Sequence, residues 1–455
     1  MSAARPSIVW FRHDLRLRDN PALYAAIRAG GPVIPVFIWS PREEGAWAPG
    51  AASRWWLHCS LEELAADLRT LGSRLILARG AAATVLARLA ATTGASTVLW
   101  NKRYEPAALR TSEEVKQQLR VNAVTSREFD GTLLTDPLAF RNRSGKPYQV
   151  FTAFQRGLLQ QLDPGVSLPA PRQLRPPASW PATLSLRSLG LLPRLQWYKQ
   201  FATHWQPGER GAQQALRRFQ RCALRDYAQL RDVPGVHGTS RLSPHLHWGE
   251  ISPRRIWHAL GAQGRSSAFF RQIIWREFAY HLLVHFPQTP QLPLRREFAA
   301  FPWRRDARQL RRWQRGRTGV ALVDAGMREL WATGWMHNRV RLVVGSYLVK
   351  NLLIPWQDGA RWFWDTLLDA DLANNTLNWQ WVAGCGADAA PYFRIFNPCT
   401  QAKRFDRDAR YRRQWVPEAD NPDEYPAPMV DLADSRERAL QAFRRMRQES
   451  RRARR

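Results

Sequence analysis

Between Ser7 and Phe129, short strand-like runs, mainly apolar in all but the last, alternate with stretches whose apolar residues recur at helical spacing. The runs Ile8 to Phe11, Val33 to Trp39, Arg74 to Ala78, Thr97 to Trp100 and Val124 to Phe129 have the length and composition of buried strands. Between two of them, Leu57, Leu61, Leu64 and Leu68 fall on one side of a helix within Ser53 to Leu71, as a crossover covering a parallel sheet must. Residues 1–130 are therefore expected to form a doubly wound α/β domain, although no GxGxxG turn marks a dinucleotide site at its strand ends.

The pattern then changes. Seven prolines between Asp163 and Pro193 interrupt any helix there, so 131–195 reads as a proline-rich linker wrapped along a surface. Beyond it the periodicity is helical almost throughout, with starts at Ser243-Pro244 and Ser252-Pro253, each a hydroxyl residue followed by proline in the first turn. Residues 196–445 are expected to be a mainly α-helical domain, ending in a short basic tail at 446–455.

Length agrees with two domains, since 455 residues exceed one ordinary core. No run approaches the roughly 18 uncharged apolar residues of a membrane span, and the start MSAARPSIVW is unlike a signal or transit peptide, so a cytoplasmic monomer is expected. The four cysteines form no zinc pattern, and HExxH, GxSxG and the phosphate-loop motif are absent, which removes the common hydrolase and nucleotidase chemistries and predicts no metal. A net charge of +30 suits a polyanionic partner, nucleic acid first, but an arginine-rich solvated surface would give the same figure. Twenty-two tryptophans, most of them from Trp180 onward, tip the balance toward stacking or redox roles.

Four segments carry candidate chemistry. Gly238 to Pro244 gathers Thr239, Ser240, Arg241 and Ser243 around Leu242 at a helix start, which suits a phosphate, although a plain cap explains Ser243 equally well. On the helix from Phe269 to Leu282, Gln272, Trp275, Arg276 and Ala279 share one face. In the segment starting at Gly334, Asn338, Arg341 and Leu342 align, with Gly345 allowing close approach. DADLANN brings Asp369 and Asp371 next to Asn374 and Asn375, just ahead of Trp379 and Trp381; with Arg341 available as ion-pair partner and no further ligands nearby, these carboxylates read as ligand-positioning groups rather than a magnesium site.

These motifs resemble those of the photolyase and cryptochrome flavoprotein family, most of all its class I cyclobutane pyrimidine dimer (deoxyribodipyrimidine) photolyases. VWFRHDLRLRDNPAL resembles the family's antenna domain; TSRLS, WREF, GWMHNR and NWQWVAGCGADAAPYFRIFNP resemble its FAD-binding domain. The resemblance implies FAD contacts from Tyr227, Thr239, Ser240, Arg241, Leu242, Ser243, Arg276, Arg341, Asp369, Ala370, Asp371 and Asn375, the last beside flavin N5. It implies electron transfer through Trp303, Trp356 and Trp379, with Trp313 a further matching indole. Gln272, where those enzymes usually carry glutamate, would contact the lesion together with Trp275, Asn338 and Trp381, and Arg231, Arg339 and Gln401 would contact DNA. A second, antenna chromophore is implied, methenyltetrahydrofolate ahead of a deazaflavin or FMN. The function implied is light-driven splitting of cyclobutane dimers in UV-damaged DNA, with (6-4) photoproduct repair or cryptochrome-type signalling as alternatives.

Overall fold

The structure, a computed structural model, describes residues 4–389 and 393–452, the side chain of Gln263 apart. Ala390, Pro391 and Tyr392 of the NWQWVAGCGADAAPYFRIFNP motif and the end of the basic tail, from residue 453 on, lie outside the described residues.

Five strands, β1 (Ser7–Phe11), β2 (Val33–Trp39), β3 (Ile76–Arg79), β4 (Thr97–Asn101) and β5 (Thr125–Phe129), form one parallel sheet in the order β3-β2-β1-β4-β5. All five lie where the apolar runs put them, within two residues. Ile8 at the centre aligns with Ile34 on one side and Val98 on the other. Alternation along the strands feeds two layers. Ile8, Trp10, Ile34, Val36 and Val98 pack against α3 (Ala82–Thr93) and α4 (Pro106–Val121), whereas Val9, Phe11, Phe37 and Leu99 pack against α1 (Pro21–Arg28) and α2 (Ala51–Thr70). The four α2 leucines are at most 3% exposed, each burial stabilising by about 1.5–3 kcal/mol.

Inside 131–195, where a linker was expected, stands a helix, α5 (Phe151–Gln161), with Phe151, Phe154 and Leu158 buried along one face. It precedes the first proline of the cluster and so escapes the breaking effect of the rest. The proline segment itself is an extended strap on the sheet domain. Asp19 N–H donates to the Leu168 carbonyl, Val33 N–H to Arg175, Leu174 N–H to Leu71 and Leu184 N–H to Leu77. Prolines suit this role because they hold the chain extended and need no N–H partner of their own.

The rest is helical: α6 (Phe201–His204), α7 (Glu209–Cys222), α8 (Tyr227–Leu230), α9 (Ser243–His247), α10 (Pro253–Arg265), α11 (Ala268–His285), α12 (Ala307–Gln314), α13 (Ala321–Thr333), α14 (Asn338–Ser346), α15 (Trp356–Thr366), α16 (Leu372–Ala383), α17 (Pro398–Phe405), α18 (Arg410–Trp415) and α19 (Leu432–Arg452). Ser252 caps α10 as expected, its hydroxyl accepting from Arg255 N–H. Ser243 does not cap α9: Leu242 occupies that position in an α conformation, and Ser243 is the first helical residue. The basic end is also a correction, because residues 446–452 are the last turns of α19, where Met446 is buried.

One carboxylate ties the two parts together. Glu250, 1% exposed, accepts from Trp56 Nε1 (3.0 Å) and Ser60 on α2, from Gly208 N–H (2.7 Å), and pairs with His245 on α9.

Candidate active site

The start of α16 shows how the local sequence builds the site. Asp371 caps the helix, its Oδ1 accepting from Asn374 N–H (2.8 Å) and Asn374 Nδ2 (2.7 Å), while Tyr280 donates its hydroxyl to Oδ2 (2.5 Å). Burial alone would raise this carboxyl, but His247, Arg276 and Tyr280 outweigh it and hold the group below the usual carboxylate range. Two residues earlier Asp369 takes a forked contact from Arg341 Nη2 (2.9 and 3.1 Å), and Arg341 Nε donates to the Met336 carbonyl (2.7 Å), which orients the pair. The two acids are thus a helix cap and an ion-pair partner, and among the described residues no cluster of three or more His, Cys, Asp or Glu could hold a metal.

These contacts frame a cleft of about 70 Å³ between α14, α15 and α16, lined by Asn338, Arg341, Asp369, Ala370, Asn375 and Trp379. Its walls are Leu342, Phe363, Leu367 and Val382. Asn375 and Trp379 stand four residues apart on one face of α16, and Asn375 Nδ2 donates to the Ala360 carbonyl on α15 (3.1 Å), fixing the amide. Apolar walls with a few fixed polar groups suit the edge of a flat heteroaromatic ring, and a cleft of this volume takes part of one. Gly359 makes room for the indole, since a Cβ there would lie only 2.1 Å from Trp379, whereas one at Gly345 would meet it at an ordinary 3.6 Å.

The phosphate-binding candidates lie apart from this cleft. Arg241 has φ +53°, a left-handed conformation that turns its guanidinium onto Trp205 (4.1 Å) and Trp335 (5.1 Å), where its Nε is buried without a partner. Burial there lowers its pKa. Ser240 Oγ accepts from Leu242 N–H (3.3 Å), Leu242 is buried, and Tyr227 packs edge-on to Phe219 and Phe269. Arg276 donates to the Thr132 carbonyl (3.0 Å) and lies over Tyr280.

Of the lesion candidates, Asn338 lines the cleft, whereas Gln272, Trp275 and Trp381 do not. Trp275 stacks on Phe151 at 3.6 Å and 2°, Gln272 Nε2 donates to Ala268 O (3.3 Å), and Trp381 Nε1 to Asp388 O (3.2 Å). Two of the DNA candidates share an acid that sequence reasoning missed: Asp232 lies 2.7 Å from Arg339 and 3.8 Å from Arg231. Arg339 also covers Phe405 on α17, the helix that carries Gln401, whose Oε1 is buried and unpartnered. At the head of α14, His337 Nδ1 accepts from Arg339 N–H (3.2 Å); burial, aided by Arg341 and Arg339, pushes its pKa down to about 4, so it is neutral at pH 7.

Two of the expected relay tryptophans are buried and one reaches the surface. Trp379 is 4% exposed at the cleft, Trp356 is 2% exposed at the first turn of α15, and Trp303 is partly buried in an open surface groove beside Ile354 and Pro355. Arg304 N–H donates to the Leu353 carbonyl (2.8 Å), fastening the Trp303 segment to the residues just before α15. Trp313, wholly buried, meets the Trp379 ring at 6.4 Å, and Phe363 lies against both.

Comparison with known proteins decides the family. A profile described as "FAD binding domain of DNA photolyase" matches residues 269–424, and one described as "DNA photolyase" matches 7–175. A deoxyribodipyrimidine photo-lyase of Agrobacterium fabrum is 46% identical over 96% of this chain and 97% of its own. The chain belongs to the photolyase/cryptochrome family. Cryptochrome-2 of Arabidopsis thaliana is 40% identical over 92% of this chain and 71% of its own length. A solved bacterial class III photolyase from Agrobacterium tumefaciens superposes with TM-score 0.94 at 45% identity, covering 98% of this chain and 99% of that one. The expected class I likeness is corrected by that relative, whose class is III. The sheet domain and helical FAD-binding domain are thus the family's two parts, and no helix among the described residues is long and apolar enough to cross a membrane.

Proposed function

We propose that this photolyase-family enzyme splits cyclobutane pyrimidine dimers in UV-damaged DNA. The observation that carries the reading is Asn375 and Trp379 on one face of α16, lining one cleft: a neutral amide for a reduced flavin and an oxidisable indole in the same wall. FAD, when bound, supplies the one-electron donation that opens the cyclobutane ring. The chain's own residues do the rest. Asp369, held by Arg341, and the fixed Asn375 amide orient the ring; Leu342, Phe363 and Val382 exclude water from it. Arg231, Arg339 and Gln401 grip the DNA backbone, and the lesion leaves the duplex to meet Asn338, with Gln272, Trp275 and Trp381 around it. Thr239 to Ser243, with Tyr227 and Arg276, hold the cofactor's phosphate side.

Trp379, Trp356 and Trp303 carry electrons from the surface to the cofactor. Methenyltetrahydrofolate is the antenna, in the cleft of about 240 Å³ between the domains, whose lining includes Glu105, Arg110 and the pair Trp47 and Trp364, which meet edge to face at 5.2 Å. Four free cysteines suit a reducing cytoplasm.

The test is spectroscopic. Photoreduced protein mixed with UV-irradiated oligothymidylate should restore thymine absorbance under blue light. Repair of a (6-4) substrate instead, or of neither, refutes the assignment, the second outcome favouring a photoreceptor. For the relay, Trp303→Phe should slow photoreduction of oxidised protein and leave repair by prereduced protein intact.

A further inference from the structure

The partly buried Trp303 opens onto a groove whose rim includes Arg305, Ala307, Leu310 and Arg361. Ala307 and Leu310 belong to α12, and the other flank of the same helix lines a second groove, about 680 Å³, of six arginines with Glu418, Glu424 and Pro426. Arg308, Arg311, Arg312 and Arg315 fall at i, i+3, i+4 and i+7 on that flank, joined by Arg317 and Arg328. Nearby acids are largely engaged. Asp306 caps α12, Glu418 pairs with Arg328 (2.6 Å) and Asp358 lies 3.6 Å from Arg361. Among the described residues Arg305, Arg308, Arg311, Arg315 and Arg317 have no ion-pair partner, and all five are exposed; Glu418 and Glu424 are the acids that line the same groove.

Six arginines against two acids in one groove leave a net positive patch that suits a polyanion. This patch is distinct from the residues proposed for DNA, which gather around Asp232 and α17. What sets it apart is its neighbour: α12 is a ridge with the arginines on one side and the exposed end of the tryptophan series on the other. We infer that α12 is the docking ridge for an acidic one-electron carrier protein, which seats its carboxylates on Arg308, Arg311 and Arg315 and delivers its electron to oxidised Trp303. A partner that covers both flanks must straddle a helix about 10 Å across, the footprint of a protein rather than of a small ion. Weak, charge-steered contacts of limited area are the rule for such encounters.

The step balances simply. Trp303, oxidised by one electron as charge moves inward through Trp356 and Trp379, regains one electron from the carrier, whose redox centre is oxidised by one electron. An indole proton lost to water in the interval returns from water. The inference rests on the proposed relay.

The test is flash photolysis of the oxidised holoprotein, following decay of the tryptophan radical with three probes at equal concentration: reduced rubredoxin (acidic), ferrous cytochrome c (basic) and ferrocyanide (a small polyanion). Rubredoxin should close the radical at least about 10-fold faster than cytochrome c at low salt, an advantage that raised salt erases. The triple variant Arg308→Gln, Arg311→Gln, Arg315→Gln, built from good helix formers, should melt like the parent and lose most of that advantage. Ferrocyanide, able to sit beside Trp303 alone, should lose less, and affinity for UV-damaged duplex should hold. Equal rates for the acidic and basic carriers, or no effect of the triple variant, overturn the docking ridge. An equal loss for ferrocyanide makes it a small-anion site, and a loss of DNA affinity without a kinetic change makes it a nucleic-acid surface. If no radical forms with any probe, the relay itself fails and the ridge with it.

Discussion

Replacing Gly359 by alanine isolates the packing of the cleft from its chemistry. A Cβ on Gly359 would stand 2.1 Å from Trp379 Cη2, 2.5 Å from its Cζ3 and 2.7 Å from Leu348 Cδ2. Ordinary carbon contacts begin near 3.5 Å, so α15 and the indole must part by about 1.5 Å. Alanine gains about 1 kcal/mol of helix propensity over glycine, while forcing an extra methyl into a packed interior costs about 1–3 kcal/mol or more. A rigid ring already packed against Phe363 and Trp313 puts the cost at the upper end, for a net loss of about 1–2 kcal/mol. For a domain of this size that lowers the melting midpoint by about 2–8 °C, and displacement of Trp379 should slow photoreduction although every tryptophan remains. Gly345→Ala is the control: its Cβ would meet Val382 at 3.4 Å and Trp379 at 3.6 Å, so it keeps the propensity gain and should melt no lower than the parent. Melting followed by circular dichroism, with flash photolysis of the same samples, checks both. A Gly359→Ala protein as stable as its parent and as quickly photoreduced refutes the packing argument.

Glu277 is fully enclosed, and burial pushes its pKa up to about 7 despite Arg276 and the N–H groups of Leu134 and Thr135. Its folded pKa therefore lies above the unfolded value near 4.3, so stability should fall as pH rises from about 4.5 to about 7 and then level off. Glu277→Gln should lack that pH dependence, about 3–4 kcal/mol across the range, and parallel pH–midpoint curves would contradict it. Glu250→Ala leaves Trp56 Nε1 and Gly208 N–H unpaired in the domain interface and should cost about 3–5 kcal/mol; protease resistance equal to the parent's would show the tie is dispensable. Binding to UV-damaged duplex should weaken steeply with salt, and a flat response would mean that the +30 charge is merely solvated surface.

The inner strands were legible because parallel strands covered on both faces must be apolar throughout, which leaves an unbroken mark such as VIPVFIW, whereas the edge strand β5, TSREF, is only partly covered and leaves a weaker one. The linker was half legible: prolines announced an extended strap but said nothing of α5, whose Phe151, Phe154 and Leu158 stripe precedes them. At the site, Asp371 could be read because it caps its own helix through Asn374, three residues on, whereas Asp369 and Asn375 act through Arg341 and the Ala360 carbonyl, 28 and 15 residues away. Arg241 could not be read correctly. A serine–proline pair after it suggested a cap, whereas its positive φ turns it toward Trp205 and Trp335, partners 36 and 94 residues away. Asp232, Tyr280 and Phe151 escaped for the same reason: each matters only through a distant neighbour.

The proline strap has a consequence for how the molecule can be made. Its bonds to Leu71, Leu77 and Asp19 all lie before the exposed Leu195, and Glu250 joins the two sides of that position without a covalent bond. A chain divided at Leu195 would keep every one of these contacts, so the two pieces should be separable in synthesis and reassemble as a split protein, with recovered flavin binding as the signal of reunion.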